Sequence, residues 1–308
     1  MKDFVILPDV CCDLSPKLRE RFSLDDYVRA HFSINGGRDN AASLDWSHIS
    51  MRDFYSMVND SRKHFVTAPL SPAEYCKAFE KYAAEGRKVL SMSVTSIASE
   101  MYLNSLEGRR LLLEKYPDAD IRCFDSLRMS GGFGLLVIYA AEMREKGASI
   151  DEVLCWLEEN KRRVHQMGPI DSVSLLSKRG RISLGGTVRL PQGGMHMGDC
   201  NNRGFVTVLG SAESMESALS ATVSYMERTI TEPEKNYVLI THTDRFSDAL
   251  RLKTMIEERI RVKEILISDV FPGVGSNVGG AMVGAYYLGS RLSDNVIKER
   301  ALLNDILG

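Results

Sequence analysis

The sequence predicts an α/β protein built as two domains, and three observations carry that reading. The chain is 308 residues long, roughly twice the usual size of one domain and long enough to bury a core without disulfides or metals. Short apolar runs of strand character alternate with helical stretches, the order that a parallel sheet covered by helices requires. Helix ends carry explicit start and stop chemistry, twice as a full Ser-x-x-Glu capping box. No repeat, low-complexity tract or long linker marks the boundary, so the change of character near residues 165–169 divides the chain into 1–165 and 166–308.

The elements follow in order. Residues 4–7 (Phe-Val-Ile-Leu) form a short apolar strand, and Ser15-Pro16 then caps a helix with proline at its first position. Phe65-Val66 reads as a further strand. Ser71-Pro72-Ala73-Glu74 opens a helix expected to run to residue 85 and stop at Gly86. Residues 88–94 alternate as a strand, with a hydroxyl-rich loop and a helix from Ser99 after it. Residues 121–124 are a strand and 134–146 a helix stopped by Gly147, while Gly131-Gly132-Phe133-Gly134 lacks dinucleotide-binding spacing and reads as tight strand–helix packing. Ser149-Ile150-Asp151-Glu152 opens the next helix.

In the second half, strands are expected at 171–176, 204–209, 237–241 and 264–270, with helices at 214–228 and 247–258. Residues 185–204 are glycine-rich and poor in aliphatic side chains. From Ser293, the spacing of Val296, Ile297, Arg300, Leu303, Ile306 and Leu307 gives an amphipathic helix, either a packing helix or an oligomer contact.

Composition excludes several function classes. With 39 Lys+Arg against 41 Asp+Glu the net charge is −2, so binding nucleic acid through bulk positive charge is ruled out. At 44% apolar and 26% charged residues the chain is an ordinary globular sequence, not a disordered one. Its apolar runs fall well short of the roughly 18 residues a membrane span needs, and the N-terminal one is too short for a signal peptide. The six cysteines include no C-x-x-C pair. They are expected as free thiols in a reducing cytoplasm.

Enzyme signatures are missing: no phosphate loop, no H-E-x-x-H, no G-x-S-x-G, and no histidine cluster at metal-ligand spacing. No metal site is therefore expected. His242, in Ile240-Thr241-His242-Thr243-Asp244 at a strand end, either serves as an acid or base beside Asp244 or bonds a neighbouring loop. Hydroxyls and small residues gather where predicted strands end: Thr67-Ala68-Pro69, Thr95-Ser96 and Asp125-Ser126. In parallel sheets ligands bind outside those strand ends, and hydroxyls beside helix N-termini suit a carboxylate or phosphate. The same residues also serve as caps and turns, and the two roles stay open at this point.

Five motifs in order carry a resemblance: Asp9…Asp13-Leu14, Thr67-x-x-x-Ser71-Pro72, Thr95-Ser96-x-x-Ser99-x-x-Tyr102, Asp125-Ser126-x-x-x-Ser130-x-Gly132-x-Gly134 and Arg179-Gly180-Arg181-Ile182-Ser183. From about residue 5 to residue 288 the chain resembles the DegV family, bacterial fatty-acid-binding proteins of which some are acyl-carrier subunits of fatty acid kinase. The resemblance implies a parallel sheet covered by helices plus a second α/β domain with a mixed sheet. It also implies a long-chain fatty acid as ligand, no cofactor, no catalysis by this chain alone, and a fatty acid kinase subunit as partner. Thr67, Thr95, Ser96, Phe271 and Gly273 fall at its ligand-binding positions, and Arg181 at a kinase-docking position.

The chain departs from the pattern at identifiable places. Ala68 replaces a serine, Ile97 and Glu100 stand where glycines are usual, and Glu213 falls where a second arginine is expected. Phe271 replaces the histidine of a His-x-Gly-Pro-Gly turn, with Gly273 and Gly275 kept. Thr67 and Ser96 hydroxyls, with N–H groups of the 95–99 turn, are expected to hold the carboxylate, and Phe271 to pack over the pocket mouth or the proximal acyl chain. The competing reading is an enzyme acting on a phosphorylated or carboxylated metabolite through His242 and Asp244.

Overall fold

The structure, a computed structural model, describes residues 4–24, 26–170, 182–183 and 194–308. A three-stranded parallel sheet forms from β1 (Phe4–Pro8), β5 (Lys88–Ser93) and β6 (Ile121–Asp125) in the order β1-β5-β6. Both faces of β1 are buried, which is why it reads as an unbroken apolar run. Between β1 and β5 the chain makes a small antiparallel sheet, β3-β2-β4, from β2 (His31–Ile34), β3 (Asn40–Ala41) and β4 (Phe65–Ala68). The Phe65-Val66 strand thus belongs to this antiparallel sheet, with Thr67 opposite Phe32. It is not a member of the parallel one.

Helix ends follow the sequence chemistry. In α1 (Pro16–Arg21) Ser15 is the cap, and α2 (Met51–Asn59), not anticipated, starts on Ser50. In α3 (Pro72–Ala83) the Ser71 hydroxyl accepts from Glu74 N–H and the Glu74 carboxylate accepts from Ser71 N–H. Gly86, at φ +65°, takes the left-handed turn that follows. After α4 (Met101–Lys115) comes α5 (Ser130–Glu145), which begins four residues earlier than expected. Gly131 and Gly132 lie inside its first turn because a Cβ there would sit 2.4 Å from the Tyr286 ring and 2.4 Å from Gln166 Oε1. Tight packing is their function. The second capping box opens α6 (Ile150–Asn160).

All strands of the large sheet follow Arg163. They are β7 (Val164–Ile170), β8 (Ile182–Ser183), β9 (Met195–Cys200), β10 (Val206–Ala212), β11 (Tyr237–His242), β12 (Glu264–Asp269) and β13 (Val283–Leu288), in the order β12-β11-β13-β7-β9-β10-β8. The sheet is mixed: the β11–β12 and β10–β8 pairs are parallel and the others antiparallel. Helices α7 (Met215–Thr229), α8 (Phe246–Arg259), α9 (Pro272–Val278) and α10 (Ile297–Leu307) complete the chain. The strand expected at 171–176 lies outside the described residues. The tail helix is a packing helix: Val296 and Leu303 join a buried cluster with Leu209 and Tyr225.

α5 is buried nearly all round, as a helix wedged between two sheets must be. Its Leu135 and Ile138 share one hydrophobic cluster with Phe4 and Ile6 of the parallel sheet and with Leu239, Tyr286 and Leu288 of the mixed sheet. The two halves are therefore cemented by a common core. Among the described residues no helix is long and apolar enough to cross a membrane.

Candidate ligand-binding site

The carboxyl ends of the three parallel strands face α9 across a cavity of about 220 Å³. Cys11 enters it after β1, Val94 and residues 98–101 after β5, and Met129 after β6. β4 contributes Thr67, Ala68 and Pro69, while α9 contributes Gly273, Val274, Asn277 and Val278. Most of this wall is apolar. Its polar members are Thr67, Ser99, Glu100, Asn277 and Cys11, and no lysine, arginine or histidine lines it among the described residues.

Two acids, Asp9 fully buried and Asp125 partly so, hold the wall in shape from beneath. Asp9 accepts hydrogen bonds from Cys11 N–H (2.8 Å) and Val94 N–H (2.8 Å), joining the turn after β1 to the turn after β5. Asp125 accepts from Ser96 N–H and Leu127 N–H, both at 3.1 Å, joining the turn after β5 to the turn after β6. Burial pushes the Asp9 carboxyl up to about 7, against those N–H bonds and with the Asp125 charge adding to the rise.

The opposite wall is strapped in the same manner. Asp13 is fully buried, and burial raises its carboxyl well above the usual range. It accepts from Phe271 N–H at 2.9 Å, at the start of α9. Tyr55 of α2 donates to the Val270 carbonyl at 2.6 Å, and Asn59 Oδ1 accepts from Gly280 N–H at 3.0 Å. Helix α9 is thereby tied at both ends.

Met129, Val274 and Val278 also line a second, deeper chamber of about 40 Å³. This chamber extends between α9 and strands β7, β9 and β13, and it is floored by Gly168, Gly198 and Gly284 together with Gln166, Asp199 and Tyr286.

Of the residues expected to bind ligand, the structure brings Thr67 and Gly273 into one cavity wall. Thr95 is fully buried beside it: its hydroxyl lies 3.4 Å from the Gly204 carbonyl and accepts from Ile97 N–H at 3.4 Å. The Ser96 side chain is not in the wall. The N–H groups of Ser96, Ile97 and Ala98 are engaged by Asp125, the Thr95 hydroxyl and the Thr95 carbonyl. Phe271 caps α9, with its ring buried against Trp46 at a centroid distance of 5.2 Å, and is not a lining residue. Arg181 lies outside the described residues.

The enzyme alternative required His242 to face an open polar cleft, and the structure buries it instead. Its Nδ1 accepts from Arg245 N–H at 3.3 Å, and its Nε2 lies 3.3 Å from Asp269 Oδ1. Burial pulls its pKa down despite the nearby Asp269 and Asp244 carboxylates, while Asp244 itself stands exposed on the following turn. This histidine bonds a loop, the plainer of its two readings. Sequence reasoning missed Met129, Asn277 and Val278. Asn277 and Val278 lie just past the Gly273–Gly275 turn, so their helical spacing from it was the available signal.

The defining sequence pattern of the DegV family, a family of uncharacterised proteins, matches residues 3–289. A DegV domain-containing protein of Clostridium perfringens is 32% identical over 296 residues, covering 94% of this chain and 98% of that one. In structure the chain is similar to a DegV lipid-binding protein of Thermotoga maritima (TM-score 0.81, 22% identity, 95% of this chain and 100% of that one). It is also similar to a stearic acid-binding protein of Eubacterium ventriosum (TM-score 0.80, 20% identity, 94% and 99%). Such a match along almost the full sequence has one meaning: the chain belongs to the DegV family.

Proposed function

We propose that this chain is a fatty-acid carrier of the cytoplasm that performs no chemistry by itself. The observation that carries the reading is the largely apolar cavity lined by Thr67, Ser99 and Asn277, with a second chamber that shares Met129, Val274 and Val278 with it. A hydrocarbon chain gains about 0.8 kcal/mol for each methylene such walls bury. The partly exposed Thr67 and Ser99 offer hydroxyl groups to a carboxylate left near solvent. The similar Eubacterium protein binds stearic acid, which accords with a long acyl chain here. In this reading Thr67 contacts the head group and Gly273 lets the α9 backbone approach it. Thr95 and Ser96 shape the turn beside them, and Phe271 fixes the start of α9. The carboxylate is then available to a fatty acid kinase subunit docked near Arg181.

Protein purified from a bacterial host should carry a long-chain fatty acid, visible by native mass spectrometry and after solvent extraction. Recovery of short polar metabolites alone, under conditions that retain lipid, would overturn the carrier.

A further inference from the structure

We propose that acyl-chain length is limited by the depth of the inner chamber, which is entered past a neck of Met129, Val274 and Val278. The inference rests on the fatty-acid reading above and adds where the selection is made. These three side chains line both chambers and so form the wall that the two share, the place where an acyl chain filling the outer one would enter the inner one.

The inner chamber has a fixed depth for two reasons. First, it reaches the sheet backbone because a row of glycines crosses three neighbouring strands. Gly168 of β7 pairs with Gly198 of β9, and on the other side the position of a Gly168 Cβ would lie 2.9 Å from Gly284 Cα of β13. A Cβ on Gly168 would meet the Val283 carbonyl oxygen at 2.1 Å, and one on Gly198 the Thr207 carbonyl oxygen at 2.7 Å, so the strands cannot move closer or carry side chains here.

Second, the polar groups in its lining are already bonded. Asp199 accepts from Gln166 N–H (2.8 Å) and Cys200 N–H (2.7 Å) and pairs with His165 (2.7 Å). Ser130 bonds Thr241 at 3.1 Å, and Thr241 in turn donates to the Tyr286 hydroxyl at 3.1 Å. A methyl terminus that pushed these groups apart would leave buried polar atoms unpaired, which costs more than one methylene gains. The chain therefore ends at this floor.

The test is a series of saturated fatty acids from octanoic to octadecanoic, each displacing a fluorescent fatty acid. Wild-type affinity should climb about fourfold per methylene, the equivalent of about 0.8 kcal/mol, and then stop climbing at one chain length. Val278→Phe narrows the neck and Val206→Phe fills only the inner chamber. Each should move that break to shorter acids, with a loss of affinity that grows with chain length. Thermal unfolding identifies a variant that fails to fold, and the other variant then carries the test. A break that stays in place in a folded variant would overturn the inner chamber as the length limit while leaving the carrier intact. A wild type that binds no acid of the series would overturn the carrier and the length limit together.

Discussion

Thr67 and Ser96 carry the same hydroxyl chemistry but stand differently in the fold. Thr67 lies in the cavity wall, whereas the Ser96 side chain does not and its N–H serves Asp125. Thr67→Val is expected to weaken fatty-acid binding by about 1 kcal/mol, roughly fivefold, the usual worth of one hydrogen bond. Ser96→Ala should leave the affinity unchanged, and isothermal titration of the two variants separates a head-group contact from a turn residue. Asp9 makes a second prediction. Its carboxyl is raised in the fold from 3.8 to about 7, chiefly by burial. A raised carboxyl stabilises the fold while protonated, so its contribution is complete below about pH 4 and is lost as pH rises toward about 7. Asp13 acts in the same direction. Between about pH 4 and about pH 7, wild type should lose more stability than Asp9→Asn does, by up to about 1.4 kcal/mol for each pH unit crossed. Equal slopes in thermal melts of the two proteins would contradict the assignment.

At the scale of elements, what the sequence made legible was end chemistry and regular apolar pattern. The Ser71 box reads directly off four residues, and the structure closes both of its hydrogen bonds. Ser71→Ala should lower stability by about 1 kcal/mol in denaturant unfolding, with no change in fatty-acid affinity. Elements stabilised by their surroundings stayed hidden. β7 reads Val-His-Gln-Met-Gly-Pro-Ile and β9 reads Met-His-Met-Gly-Asp-Cys. Neither has strand composition; both are held by partners on each side in the middle of a large sheet. The site was half legible for the same reason. The motif around Thr67 and the Gly273 turn point at the cavity from sequence alone, whereas Met129 and Val278 look like ordinary core until α9 and the turn after β6 face each other. Gly131 shows the converse case, a residue whose type was read correctly and whose position in the helix was not. Gly131→Ala should destabilise the protein by more than about 1 kcal/mol, since its Cβ would lie 2.4 Å from the Tyr286 ring.

For the whole molecule the shared core is decisive. Because α5 packs on both sheets within one cluster, the two halves are expected to unfold in a single calorimetric transition. A fragment ending at residue 163 should expose the α5 face that Tyr286 and Leu288 cover, bind a hydrophobic dye and lack a cooperative melt. Two resolved transitions in the intact chain would show that the halves are energetically separate. The two acids beneath the cavity have a different kind of consequence. Asp9 and Asp125 fix the three strand ends through backbone N–H groups alone, so the route of the turns owes little to the side chains above them. Ala98 and Glu100 are therefore expected to be exchangeable without re-laying the loop that bears them. Relatives can thus diverge in what they carry while inheriting the same frame, and a designer can rewrite the rim on a backbone that is already in place.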